Sequence, residues 1–163
     1  MSKPLLQYPL HPEFEELLNS CGSMTRQLEA LGQKLTVTLL QEYATAEERW
    51  RIITLNLNQR PVILAASHCA LSAEFFCNLL KNASITPIGK FLFAANSPVT
   101  RDDNMQIASI CHTEISSPPL SNFLHSLHYQ PDQQFWQRQS VFNYADEQLF
   151  LTEIILPEVE LFY

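Results

Sequence analysis

Glycine is scarce in this sequence, with three residues among 163. Loops that cradle phosphates need glycine wherever backbone N–H groups close around an anion. Neither G-x-G-x-x-G nor a P-loop occurs, so the common nucleotide-binding folds are excluded. Cations are scarce as well. Ten Lys and Arg against seventeen Asp and Glu leave a net charge of −7, the wrong sign for nucleic acid or an anionic membrane as partner. No apolar run approaches the ~18 residues of a membrane-spanning helix, so no membrane insertion is expected. Residues 1–8 have neither the basic start nor the continuous apolar stretch of a signal peptide, which predicts a cytoplasmic protein. Cys21, Cys69, Cys77 and Cys111 form no C-x-x-C pair and read as reduced, buried thiols. His125 and His128 could meet on a helix, but no further ligand is spaced to join them. Cys111 and His112 would point to opposite faces of a strand. Neither a metal nor a cofactor is expected.

What is present is the composition of a compact soluble protein, 46% hydrophobic and 17% charged. At this length one domain over residues 1–163 buries about two-thirds of its unfolded surface. Residues 12–20 and 23–33 predict two short helices, the second capped by Ser23 and stopped near Gly32. Lys34–Tyr43 is rich in β-branched and apolar residues and predicts a strand. Arg49–Asn56 and Pro61–Cys69 predict two more, paired as a hairpin over residues 57–60. Ser72–Ala83 carries Phe75, Phe76, Leu79 and Leu80 near one helical face, and Thr86–Phe93 reads as a turn into a short helix. A strand over Met105–Glu114 follows. Residues 116–135 read as a surface excursion with one helical turn. Trp136–Tyr144 and Glu147–Pro157 then make a second hairpin over Ala145 and Asp146. Five or six strands joined mainly by short turns predict an α+β fold, a single antiparallel β-sheet of about six strands flanked by helices.

Glu153 departs from this pattern. It lies in Gln148–Pro157, where seven of ten residues are Leu, Ile, Phe or Pro. A lone ionised carboxylate in such surroundings costs several kcal/mol. Glu153 must therefore face a cavity, take a partner or hold a proton. Arg51, at the head of Ile52–Leu55, is the best cation to accompany it. Strand alternation is equally compatible with Arg51 facing solvent, or forming a plain ion pair with Glu153. The loops Cys21–Thr25 and Thr86–Gly89 each enter a helix, where free backbone N–H groups can bind a carboxylate. A plain turn followed by a capped helix explains either loop equally well.

Four blocks resemble the chorismate lyase family, the chorismate pyruvate-lyases. In order they are Ser23-Met-Thr-Arg26 with Leu35–Thr38; Arg51 with its apolar successors and Pro61; Thr86–Phe93 with Thr100-Arg-Asp102; and Leu151-Thr-Glu-Ile-Ile-Leu-Pro157 ending in Leu161-Phe-Tyr163. The last two are the most specific. The resemblance implies an antiparallel sheet that encloses an internal ligand pocket beneath helical flaps. It also implies a cofactor-independent carbon–oxygen lyase that eliminates pyruvate from chorismate to give 4-hydroxybenzoate for ubiquinone biosynthesis. Carried over residue by residue, Arg51 grips the ring carboxylate, the backbone N–H groups of Met24 and Ile88 add hydrogen bonds, and Glu153 contacts the 4-hydroxyl. Arg51 and Glu153 are thus the expected catalytic pair, facing one cavity with a ring between them, in a monomer. Glu153 is expected to accept a hydrogen bond rather than act as base, because proton transfer within the substrate needs no protein base. One departure stands out. Family members carry a second arginine late in the strand after the proline, and here Ala66 takes that place, with His68, Lys90 or Arg101 as possible substitutes. The alternative is a non-catalytic or degenerate domain of the same fold that binds a 4-hydroxybenzoate-like small molecule, as in the effector domains of some transcription regulators.

Overall fold

The computed structural model describes residues 12–19, 23–115 and 117–162. Two hairpins with two-residue turns build the centre of the sheet. In the first, β2 (Glu48–Leu57) and β3 (Arg60–Ala70) meet over Asn58 and Gln59, whose φ angles of 47° and 67° are those such a turn requires. In the second, β6 (Gln134–Tyr144) and β7 (Glu147–Ile155) meet over Ala145 and Asp146. β3 pairs with β7, β1 (Leu35–Ala44) extends the sheet beyond β2, and β4 (Thr100–Arg101) and β5 (Gln106–Cys111) share the outer edge of β6. All of these pairings are antiparallel. The fold is the α+β antiparallel sheet expected, with seven strands rather than six.

The sheet is covered on both faces. On the front lie α1 (Pro12–Asn19), α2 (Met24–Glu29), α3 (Glu74–Ala83) and α4 (Gly89–Leu92), which pack Leu17, Leu28, Phe76, Leu80 and Leu92 against Ile53, Leu55 and Ile63. Ser23 caps α2 by accepting from the Arg26 N–H at 3.3 Å. α2 ends four residues earlier than the predicted helix, and the chain turns through Gly32 at φ 76°. The first turn of α3 is capped from outside, since the Glu147 carboxylate accepts from the N–H groups of Phe75 and Phe76 at 3.4 and 3.2 Å. That bond ties α3 to the tip of the second hairpin.

The back is covered by α5 (Pro118–Ser126), which sets Leu120 and Leu124 on Ile52, Leu64, Ala66 and Ile154. This helix corrects the expected surface excursion. Pro118 and Pro119 occupy its first positions, where the missing N–H costs nothing and the fixed φ favours a helix. Cys69 and Cys77 are buried, as expected, but Cys111 is only half-buried. Cys21, Gly22 and Tyr163 lie outside the described residues.

One irregularity decides which residues face front. Leu57 pairs with Arg60 and Asn56 with Pro61, but Leu55 pairs with Ile63, so β3 carries one extra residue at Val62. From there onward β3 is shifted by one against β2. A one-residue shift exchanges the faces of every later side chain.

Candidate ligand-binding site

Between the sheet's front face and the starts of α2 and α4 lies a cavity of ≈ 440 Å³ counted to its open mouth. Its floor is Ile53 and Leu55 of β2, Ala65 and Ser67 of β3, Leu151 and Glu153 of β7, and Arg138 and Phe142 of β6. Ser23, Met24 and Thr25 form one side of the cover, and Pro87, Ile88, Gly89 and Phe93 the other. The two sides meet closely at Gly89. A Cβ there would stand 2.9 Å from the Ser23 hydroxyl, so any larger residue would force that hydroxyl to shift where α4 meets α2. The interior is narrow. A single-ring ligand therefore requires the cover to move.

Three of the four expected site residues line this cavity: Met24, Ile88 and Glu153. Met24 is the first residue of α2, where backbone N–H groups have no intrahelical acceptor. Ile88 immediately precedes α4. Arg51 lies on the same face one row further along the sheet, directly opposite Ser67, while Ile53 stands opposite Ala65 and Ala65 opposite Glu153. Two strand spacings and one pleat repeat separate Arg51 from Glu153, ~12 Å between their Cα atoms.

The partner of Glu153 is a residue that sequence reasoning passed over. Arg138 stands directly opposite it on β6, and its Nε donates to Glu153 Oε2 at 2.7 Å. The pair is 2% and 6% exposed at its side chains, so neither charge is left for water to solvate. This removes the alternative of a plain Arg51–Glu153 ion pair, since the direct partner of Glu153 is Arg138. A signal was available in the sequence. In a regular hairpin that turns over Ala145 and Asp146, counting outward from Tyr144 and Glu147 brings position 138 opposite 153.

Arg51 has a different environment. It is 1% exposed, which removes the solvent-face alternative. Its Nη2 donates to the backbone carbonyls of Ser84 at 2.7 Å and Thr86 at 3.1 Å. Nε and Nη1 are buried with no hydrogen-bond partner among the described residues. Burial holds the Arg51 guanidinium below its ordinary pKa, opposed by Glu42 across the strand pair. A guanidinium keeps its proton regardless. The cost is therefore carried as a buried cation opposite an acid, Glu42, that is exposed to solvent.

The position taken for the family's second arginine also changes. Ala66 packs on the back of the sheet under α5, because of the extra residue at Val62. The cavity-facing neighbours are Ala65 and Ser67. His68 is on the back as well, stacked between Trp50 and Phe150 at 4.1 and 5.1 Å and paired with Glu48 at 2.6 Å. Lys90 is exposed and meets Glu29 at 3.3 Å. Of the named substitutes only Arg101 belongs to the front. Its Nη2 donates to Ser140 Oγ at 2.8 Å, and its guanidinium lies over the rings of Phe93 and Phe142.

A wider groove, ≈ 1020 Å³ to its mouth, runs between α3 and residues 94–99. Its walls include Phe75, Leu79, Phe91 and Val99, and Lys90 is the one charged residue lining it. Convergent buried polar groups mark a binding site more sharply than volume does, and they occur in the smaller cavity. Among the described residues no cluster of His, Cys, Asp or Glu could hold a metal, and no helix is long and apolar enough to cross a membrane.

A scan of family models finds no match, and a search of curated protein sequences finds none. Solved structures do match. The C-terminal domain of the histidine utilization repressor from Pseudomonas syringae pv. tomato superposes with a TM-score of 0.54 at 8% identity, over 76% of this chain and 92% of that one. The ligand-binding domain of a regulator assigned to the GntR family, from Bordetella bronchiseptica, aligns over 76% of this chain and 85% of that one, at 15% identity and TM-score 0.49. A GntR-family transcriptional regulator from Enterococcus faecalis V583 covers 76% of this chain and 91% of itself, at 4% identity and TM-score 0.49. The first of these establishes a shared fold, one that chorismate lyase also has. At such identity the likeness extends to the fold and not to the chemistry.

Proposed function

We propose that this chain is a small-molecule-binding domain whose ligand is a planar ring acid of the 4-hydroxybenzoate type. The observation that carries the reading is Arg51, a buried cation with two donors that have no partner among the described residues. A carboxylate supplies two acceptor oxygens in the fork geometry that a guanidinium matches. The Arg138–Glu153 pair lies at the opposite pole, where Glu153 oxygens can accept from a hydroxyl and Arg138 keeps the carboxylate aimed. Leu151, Phe142, Ile53 and Leu55 between the poles suit a ring. The fold supports this reading, since the regulator domain that shares it is the C-terminal part of a repressor.

The test is titration of the protein with 4-hydroxybenzoate beside the Arg51→Met and Glu153→Gln variants. Saturable binding by the unaltered chain is expected, at least tenfold weaker in each variant. No saturable binding by the unaltered chain would overturn the proposal.

A second reading is turnover, with chorismate as substrate. Glu153 lies within one of the two blocks that most specifically resemble the chorismate lyases, and it lines the cavity. In that reaction the enolpyruvyl C–O bond to the ring breaks, a ring hydrogen passes to the departing group, and pyruvate leaves an aromatic ring. Catalysis would consist of orienting the ether against that hydrogen. Incubation with chorismate separates the two readings. Release of pyruvate with 4-hydroxybenzoate, abolished in Arg51→Met, marks a lyase, whereas binding without release marks a sensor.

A further inference from the structure

Ser84 ends α3 with φ 50° and ψ −120°. Residues with a Cβ rarely occupy that part of the backbone map, and strain of this kind persists only where surroundings enforce it. The Ser84 residue is exposed, so packing of its side chain does not enforce it. The restraint is on its carbonyl, which accepts from Arg51 Nη2 at 2.7 Å. The same nitrogen donates to the Thr86 carbonyl at 3.1 Å, and the Thr86 N–H closes back on Ala83 at 2.8 Å. One atom of the sheet thus clamps the turn from both sides. Next come Pro87, Ile88 and Gly89, which cover the cavity and meet Ser23 of the opposite side.

We propose that Ser84 is the hinge of the cavity cover and that Arg51 couples this hinge to ligand. The proposal rests on the reading of the cavity as a ligand site. In the closed form described here the clamp keeps Ser84 in its disfavoured conformation and holds residues 86–93 down on α2. Opening relaxes Ser84, which lowers the barrier to opening a cavity too narrow to admit a ring. An anion that reaches Nε and Nη1 of Arg51 shares a guanidinium with the clamp. Its arrival therefore bears on the turn directly.

Glycine at position 84 would accept the closed conformation without strain. Ser84→Gly should therefore stabilise the closed form and slow both entry and release of 4-hydroxybenzoate at least fivefold in stopped-flow measurements, with a smaller change in Kd. A second measurement needs no ligand. Backbone amide exchange in residues 85–93 should slow at least fivefold in Ser84→Gly and quicken in Arg51→Met, while exchange in β3 and β7 stays unchanged. If Ser84→Gly alters exchange equally everywhere, or Arg51→Met leaves residues 85–93 unchanged, Ser84 is local strain alone and the hinge is overturned. If exchange behaves as expected but 4-hydroxybenzoate does not bind, the hinge stands and the proposed ligand falls.

Discussion

The two faces of the sheet are made by the same strands and solve opposite problems. On the back, Ile52, Leu64, Ala66 and Ile154 meet Leu120 and Leu124 in a dry apolar layer. On the front, one residue away along the same strands, Arg51, Ser67 and Glu153 are buried too. Burial of apolar groups is favourable wherever it occurs, whereas buried charge must be compensated locally. Glu153 is compensated by Arg138. Arg51 is compensated only in part, by two carbonyls. The back face reads as structure and the front as a site with one requirement unmet.

This contrast can be broken experimentally. The largest effect is expected from Arg138→Met, which leaves Glu153 buried alone and should cost about 4 kcal/mol in denaturant unfolding. Adding Glu153→Leu should recover most of that loss, and a cost below about 1 kcal/mol would show that the pair does not hold the front together. On the back, Leu124→Ala should cost about 3 kcal/mol through the cavity it leaves. Its affinity for 4-hydroxybenzoate should stay within twofold, because α5 never reaches the front. A weaker effect is set by pH. Burial and the neighbouring Cys77 push the Cys69 thiol up from 9.0 to about 12. The unfolded chain therefore loses this proton first as pH rises. The stability from Cys69 is fully present below pH 9 and falls as pH climbs toward 12. Cys69→Ala should flatten that decline in melting curves taken across the range. Smallest is Gly89→Ala, whose Cβ displaces the Ser23 hydroxyl from its cap and should cost about 1 kcal/mol. It should also weaken ligand binding by holding the cover apart, and unchanged affinity would show that closure at Gly89 is not needed.

Much of this was legible locally. The hairpin turn within residues 57–60, which tightens to Asn58 and Gln59, the turn at Ala145 and Asp146, the amphipathic α3 and the Ser23 cap all follow from short-range rules, and the structure has each of them. α5 was misjudged because its prolines read as breakers, when at the first helical positions they start a helix. β4 is two residues long and exists only because β6 offers it an edge. At the site, Met24, Ile88 and Glu153 line one cavity. Arg138 was readable by counting along its hairpin and was passed over.

The position of Ala66 is a different kind of miss. Counting along the first hairpin without an irregularity would bring Ala66 opposite Arg51, on the cavity side. The extra residue at Val62 puts Ser67 there instead and sends Ala66 to the back. By itself the sequence determined the strands, their turns and the presence of a carboxylate that needed company, because propensity and alternation act over a few residues. Only the tertiary structure decided that Arg51 holds a turn 33 residues away and that Ala66 turns its back on the cavity. Register and burial depend on neighbouring strands, and one inserted residue is enough to exchange the faces of all that follow.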